Sequence, residues 1–362
     1  MATQALTQAP IRRRERLDPS VFRLPVERIR EGYYSDVYFN RTEDVLTADN
    51  LHPHVLMQVF QKNQAVVGGM DEAIAIVKLC SEDFSQLRVH ALYDGDEAAP
   101  WETTMTIEGD YSLFARLETV YLGVLSRRTK VATNVHRVVD AANGKQIMFF
   151  PARHDHHLVQ TGDGYAAHVS GAIGVSTDAQ ASWWGGRGIG TVPHGLIAAY
   201  NGDTVLAARK YAEYMEPTAN LVVLVDWEND CVRTSLEVAR ALKDRLWGVR
   251  LDTSETMVDV SLQKLMGDFD PRGVNPQLCH LVRQALDREG FEHVKIVASG
   301  GFNVAKIERF ERERVPVDAY GVGSAFFQGT YDFTADVVMV EGRPCAKAGR
   351  RYRPNPRLEP VT

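Results

Sequence analysis

The chain has 362 residues, 44% hydrophobic and 24% charged, with a formal net charge of −6 at pH 7. That balance is ordinary for a globular enzyme and excludes a disordered chain, a basic nucleic-acid footprint and a polybasic membrane signal. The length exceeds what one hydrophobic core usually serves, so two domains are expected.

Arg12, Arg13, Arg14 and Arg16 stand in an N-terminal stretch with no apolar core ahead of a cleavage site. Residues 1–20 therefore read as a mobile arm rather than a secretory signal. From Arg30 to about Val135 the pattern is mixed: 72–80 has helical apolar spacing, 86–93 and 101–107 alternate like strands, and 94–100 between them reads as a turn. Helical spacing returns over 114–127, with Phe114, Leu117, Tyr121, Leu122 and Leu125 on one face. Beyond that the rhythm becomes regular. Short apolar runs fall at 147–151, 171–175, 188–192, 221–225, 248–251, 294–298 and 317–322, all far below the ~20 residues needed to cross a bilayer. Helical stretches separate most of the later ones, at 203–215, 231–245, 275–289 and 303–314. The clearest is 275–289, where Asn275 can cap, Pro276 suits the first turn and Gly290 ends the helix. Strand–helix alternation at this spacing predicts right-handed βαβ units and a parallel sheet, an incomplete seven-stranded α/β barrel. An open doubly wound sheet is the competing architecture. After Gly329 the chain alternates again at 336–341 and is expected to return to the first domain. The predicted organisation is an arm at 1–20, a small α+β domain from 21–134 with 330–362, and a barrel at 135–329. Cys80, Cys231, Cys279 and Cys345 are widely spaced without a Cys-x-x-Cys pair, which fits a reducing cytoplasm.

Active sites in such barrels lie at the C-terminal strand ends. Here every end carries polar, charged or glycine residues. Ser299-Gly-Gly301 before a helix starting near Asn303, and Gly321-Val-Gly323-Ser324 after the last strand, expose backbone N–H groups to an anion. Phosphate at the last two strand ends is the commonest barrel arrangement; two tight turns without a ligand is the plainer reading. The planar fork of Arg153 matches a carboxylate or a phosphate, or else forms a salt bridge with a nearby Asp. Asp252 can hold sugar hydroxyls or a metal-bound water, or simply pair with Arg250. His194, between Gly190 and Gly195, is accessible, and an imidazole nitrogen can be a nucleophile, although a lone His at a strand end is usually structural. His154-Asp-His156, with His168 and His194, also admits a metal-dependent amidohydrolase site. The last strand, however, ends in glycines rather than the Asp that such a site requires.

The ordered set of segments resembles the nicotinate phosphoribosyltransferase family, of the type II phosphoribosyltransferase group, in its short archaeal and bacterial form. The segments are Tyr34-Ser-Asp36-Val-Tyr38, Phe39-Asn-Arg41-Thr42, Phe150-Pro-Ala-Arg153-His154 and Gly190-Thr-Val-Pro-His194. They continue with Val249-Arg-Leu-Asp252-Thr253, Ala298-Ser-Gly-Gly301 and Tyr320-Gly-Val-Gly323-Ser324. The resemblance implies the same barrel with a smaller domain made from both chain ends. It also implies a reaction, in NAD biosynthesis, that joins nicotinate to 5-phosphoribosyl-1-pyrophosphate, with ATP hydrolysed alongside and magnesium carried by the substrate. No protein metal ligand is assigned. By position, His194 would be phosphorylated by ATP, while Arg250 and Asp252 would contact the ribose-phosphate and its hydroxyls. Arg153 would bind the nicotinate carboxylate, with His154, Ser176 and Thr177 in the substrate-binding set. Tyr38 would stack on the pyridine from a partner subunit of a homodimer or larger oligomer. Gly300, Gly301, Gly321, Gly323 and Ser324 would cradle the 5-phosphate. Two departures stand out: Ser254-Glu255-Thr256 replaces the Ser-Gly-Asp of many longer members, and the cysteine-rich zinc element of some relatives is absent. Quinolinate and nicotinamide phosphoribosyltransferases are the rival activities. The first needs a denser Lys/Arg set for two carboxylates, and the second would not require a carboxylate-binding Arg.

Overall fold

The computed structural model describes residues 15–215, 220–265 and 267–362. The described chain divides into two compact units, one of 137–160 with 171–326, the other of 15–136 with 161–170 and 327–362.

The first unit is built on a six-stranded parallel sheet. Its order is Gly174–Val175, Gln146–Phe149, Ala319–Val322, Lys295–Ala298, Leu246–Leu251 and Leu221–Leu224. These strands are short and apolar because helices cover one face and the curled interior the other; all of Leu221–Leu224 is buried. Met148, Val222, Val297 and Ala319 form a buried cluster contributed by four of them. The helices begin where the sequence offers caps. Asn275 accepts from Leu278 N at 3.0 Å, Asp203 from Leu206 N at 2.8 Å and Asn303 from Lys306 N at 3.0 Å. Gly290, at φ +80°, closes the helix Pro276–Arg288.

The expected seventh strand at 188–192 does not form. Glycines at 188 and 190 give a strand nothing to pack and a high ordering cost, and only one parallel bridge survives, Val192 to Val223. Single hydrogen bonds nevertheless tie this segment to both edge strands. Ile189 N donates to Val175 O at 2.7 Å and Val192 N to Val222 O at 2.8 Å. The sheet is therefore a curled, nearly closed barrel of six strands, and not an open doubly wound sheet.

The other unit holds a six-stranded antiparallel sheet. Its central strand His54–Gln61 pairs on one side with Thr103–Asp110 and on the other with the returning Phe333–Val340, Val55 opposite Val340 and Gln61 opposite Phe333. The central strand is buried on both faces over most of its length, so it shows no alternation, and the largely apolar run from Val55 to Phe60 is its only trace in the sequence. The helix expected at 114–127 starts at Glu118 after two 3-10 turns and runs to Ala141. Of the arm expected over 1–20, residues 1–14 lie outside the described residues. Arg16, by contrast, is anchored: it pairs with Asp71 at 2.9 Å and lies 4.1 Å from the Tyr93 ring centroid. No helix among the described residues is long and apolar enough to cross a membrane.

One buried charge ties three segments of this unit together. Arg128, on the helix Glu118–Ala141, pairs with Glu72 at 3.0 Å and with Asp163 at 2.8 Å, while Arg127 reaches the other oxygen of Asp163 at 2.6 Å. Burial opposes the charge on Arg128, but the two carboxylates outweigh it and hold the guanidinium above its usual value. The fit is close: a Cβ at Gly162 would lie 2.1 Å from the guanidinium carbon. Replacing Arg128 by Met strands Glu72 and part of the Asp163 charge in the interior. Urea unfolding of Arg128→Met should therefore show a loss of about 3–5 kcal/mol; a loss under about 1 kcal/mol would mean that the network does not hold these segments.

Candidate active site

The strand ends of the parallel sheet bring together most of the residues singled out in the sequence. Arg250, at the end of Leu246–Leu251, donates from Nε to Ser299 Oγ at 2.8 Å and from Nη2 to Asp252 Oδ2 at 3.2 Å. Its guanidinium carbon sits 5.1 Å from the Phe150 ring centroid. Buried Ser299 in turn donates to the other oxygen of Asp252 at 2.7 Å. Arg250, Asp252 and Ser299 thus form a closed triangle on adjacent strands. The Arg250–Asp252 pair anticipated from the sequence exists, and both partners stay partly exposed, with side chains 19% and 24% accessible.

His194 opens the helix His194–Ala199. Its Nε2 lies 2.9 Å from Asp226 Oδ1, and the ring is 41% accessible against 9% for Asp226. The hydrogen bond to Asp226 raises the imidazole above its ordinary value; burial and Arg250 oppose this, and the charges of Asp226 and Asp252 add to it. Nothing lies within 4 Å of a Cβ built on Gly190 or Gly195, so the space beside His194 is open.

Gly300 and Gly301 hold φ of +85° and +67°, a conformation that turns the chain sharply in front of the helix Val304–Arg312. A Cβ at Gly301 would meet Glu255 Oε1 at 1.7 Å, so the carboxylate that stands at the Ser-Gly-Asp departure lies directly over this turn. Lys306, on the first turn of the helix, donates from Nζ to Gly300 O at 3.0 Å. Burial holds its ammonium below the usual lysine value, with Glu255 opposing.

The other predicted residues divide. Arg153 and His154 form a short 3-10 turn after Gln146–Phe149, both exposed, and Arg153 has no salt bridge among the described residues. The ring of His154 covers Gly323, where a Cβ would come within 2.8 Å of it. Ser324 is exposed at the next turn. Gly321 is buried, and a Cβ there would strike the Phe150 ring at 2.8 Å, so packing explains this glycine. Ser176 and Thr177 spend their hydrogen-bonding capacity locally. Gln180 Oε1 accepts from Ser176 Oγ at 3.1 Å, and Thr177 Oγ1 caps Gln180 N at 3.1 Å and donates to Gln160 at 3.0 Å. Tyr38 belongs to the other unit, on the helix Val37–Ala48, and is 60% exposed. Among the described residues no group of three or more His, Cys, Asp or Glu is placed to hold a metal ion, so the histidines around 154–156 are not gathered as an amidohydrolase site needs.

Asp226 and Lys306 were given no role in the sequence, and Ser299 was read only as the start of a glycine turn. Lys306 did leave a trace: a lysine in the first turn of a helix opposes the helix dipole and calls for a local reason.

Known proteins match this arrangement. The family model "Quinolinate phosphoribosyl transferase, N-terminal domain" matches residues 36–129. A nicotinate phosphoribosyltransferase of Mycobacterium tuberculosis is 27% identical over 274 residues, 73% of this chain and 56% of its own. One from Bacillus subtilis is 23% identical, with the same shares. The match thus spans a little over half the length of these curated relatives. The solved structure of human nicotinic acid phosphoribosyltransferase has the same fold, with a TM-score of 0.67 at 18% identity over 88% of this chain and 77% of that one. The crystal structure of nicotinate-nucleotide pyrophosphorylase from Pyrococcus furiosus superposes with a TM-score of 0.78 at 32% identity, covering 93% of this chain and 85% of that one. With this relative matched over nearly the whole chain, the chain belongs to the type II phosphoribosyltransferases, the family of nicotinate-nucleotide pyrophosphorylase and nicotinate phosphoribosyltransferase.

Proposed function

We propose that this protein transfers a phosphoribosyl group from 5-phosphoribosyl-1-pyrophosphate to nicotinate, releasing pyrophosphate and nicotinate mononucleotide, with ATP hydrolysis coupled to the transfer. The Arg250–Asp252–Ser299 triangle carries the reading, since it sets a cation and a carboxylate side by side on rigid strand ends. The bond from ribose C1 to the pyrophosphate oxygen breaks with its electron pair leaving on pyrophosphate, and the pyridine nitrogen lone pair forms the new C1–N bond. Positive charge develops on the sugar, so alignment and charge matter more than a strong base. Asp252 holds the ribose hydroxyls, and Arg250, braced by Ser299 and Phe150, faces phosphate oxygens. The N–H groups of the Gly300–Gly301 turn and of Gly323 receive the 5-phosphate. Asp226 and Asp252 are both engaged by protein groups, so magnesium would be held mainly by substrate oxygens, which suits its preference for few protein ligands. It would supply charge to the leaving pyrophosphate.

Arg153, exposed and unpaired by any acid among the described residues, takes the nicotinate carboxylate. A second reading, quinolinate phosphoribosyl transfer, draws on the family model matched at 36–129. Product formation from nicotinate, quinolinate and nicotinamide, with and without ATP, separates these activities. Nicotinate should be the best substrate, and faster with ATP. Arg153→Ala should weaken its use about 10- to 100-fold while nicotinamide stays equally poor. Preference for quinolinate, or an Arg153→Ala enzyme as good as wild type, would contradict the reading.

His194 is the phosphoryl acceptor. Asp226 holds Nε2, which leaves Nδ1 to bond the γ-phosphorus as the bridging P–O bond breaks and ADP departs. Only neutral imidazole is nucleophilic, and Asp226 favours the charged form, so ATP hydrolysis should rise with pH through an inflection above the ordinary histidine value. Asp226→Asn should move that inflection to lower pH, and His194→Ala should abolish acid-labile labelling from γ-labelled ATP. An inflection that stays in place, or a label that persists, refutes the assignment.

Tyr38 from a partner subunit completes the pyridine pocket of a two-fold dimer. Tyr38 is exposed, and an aromatic stacked on a flat ring contributes about 0.5–1.5 kcal/mol beyond its buried area. Mixing Tyr38→Ala with His194→Ala chains, each weak alone in the ATP-coupled reaction, should restore activity toward roughly a quarter of wild type, because half the dimers are mixed and each keeps one intact site. No recovery, with subunit exchange verified by mass, would mean that each chain completes its own site.

A further inference from the structure

The antiparallel-sheet unit carries a second polar recess. Gln58 and Phe60 on the central strand, Trp101, and Arg350, Arg351 and Arg353 on the returning tail line a shallow, open recess whose own volume is only about 10 Å³, so a ligand there would lie largely on the surface.

The tail is fastened here by its backbone. Gln58, only 2% exposed, donates from Nε2 to Arg351 O at 3.0 Å and accepts from Arg353 N at 3.0 Å. Asn355 then donates to Thr103 O at 2.8 Å. Because these bonds use main-chain atoms, the arginine side chains are not needed to hold the segment.

Two of them, Arg350 and Arg353, lie instead against one ring, joined there by Lys62. The guanidinium carbons of Arg350 and Arg353 lie 5.2 and 5.5 Å from the Trp101 ring centroid, and the ammonium of Lys62 lies 5.8 Å away. Trp101 stacks on Phe60 at 5.5 Å and holds φ +67°, a backbone conformation that bulky residues rarely adopt and that tends to mark functional sites.

The charges do not balance. Asp336 lies 2.8 Å from Arg350 Nε, yet neither atom makes an aligned hydrogen bond. The nearby Glu102 is taken by Arg357 and Asn355, each at 2.8 Å. Lys62, Arg351 and Arg353 have no acid partner among the described residues. Four cations share one neighbourhood with one misaligned carboxylate, around a tryptophan held in a strained backbone conformation. Such a group lacks a counter-anion, and planar guanidinium forks match phosphate oxygens in pairs.

We propose that this recess is an oxyanion site that binds a phosphate group between Arg351 and Arg353, with Arg350 and Lys62 held against Trp101 to raise the local positive charge. It is independent of the strand-end site and of the reaction proposed for it.

Trp101 is its own reporter. A version with Trp183, Trp184, Trp227 and Trp247 changed to Phe leaves it as the sole tryptophan of five. This protein is titrated with inorganic phosphate, inorganic pyrophosphate and ATP at constant ionic strength, with chloride as control. A saturable fluorescence change with the phosphate compounds and none with chloride is expected, weakened at least about 10-fold in Arg351→Gln/Arg353→Gln. Inorganic phosphate binding as tightly as ATP identifies free phosphate as the source; ATP binding tighter by about 10-fold or more identifies a nucleotide. No change beyond the chloride control, or a change that survives the double substitution, overturns the proposal. Should the four Phe replacements prevent folding, equilibrium dialysis of labelled pyrophosphate on the chain with all its tryptophans gives the second measurement. One class of bound pyrophosphate should vanish in Arg351→Gln/Arg353→Gln; identical binding isotherms would overturn the proposal as firmly.

Discussion

A parallel strand can meet its neighbour only if the chain crosses back to its starting end, and this constraint shapes the catalytic half of the molecule. Each crossover helix returns the chain to the same side, so all six strands leave the sheet at one edge. Residues far apart in sequence, His194, Asp226, Asp252, Ser299 and Gly323, therefore arrive at a single rim. The glycine-rich segment 188–192 closes the gap with two single hydrogen bonds instead of a strand. That economy leaves open space beside His194, which a fully paired seventh strand would restrict.

The rim is held ready before any substrate arrives. Ser299 bridges Arg250 and Asp252, which fixes a cation and an anion within one hydrogen-bonded unit on buried strands. Fixed dipoles and charges of this kind need no rearrangement as charge develops on a sugar. The glycine turn at 300–301 has a different character. Glu255 lies over it and Lys306 donates to Gly300 O, so groups of opposite charge flank the turn.

The antiparallel-sheet unit depends on a buried charge in a different way. Arg128 cannot leave water without carboxylates, and it draws them from two separate stretches, Glu72 and Asp163. Residues 161–170 are thereby held in this unit, although the sequence before and after them belongs to the barrel. Glycine at 162 is the steric requirement of the same contact.

Much of the barrel was legible in the sequence because its signals are local. Helix caps such as Asn275 and Asn303 act within one turn, apolar runs of strand length act within one strand, and glycine pairs announce sharp turns. The central strand His54–Gln61 was harder to read, because burial on both faces erases alternation and its apolar run, unlike those of the barrel, is not set in a regular strand–helix rhythm. The failure of 188–192 to pair as a strand was only half legible, since Gly188 and Gly190 weaken a strand without forbidding one. Among the site residues, Arg250, Asp252, His194 and the glycines could be picked by type and place. Whether Asp252 pairs with Arg250, whether Thr177 is free, or what Gly321 makes room for could not. The sequence by itself determined the element types, their order and the chemistry available at the strand ends, because these follow from propensity and periodicity along the chain. Only the tertiary structure decided which groups are spent on one another. Thr177 is lost to its own capping box, Gly321 to the ring of Phe150 and Asp163 to Arg128, while Asp226 is won for His194, since each of these depends on a distance between residues that the order of amino acids does not specify.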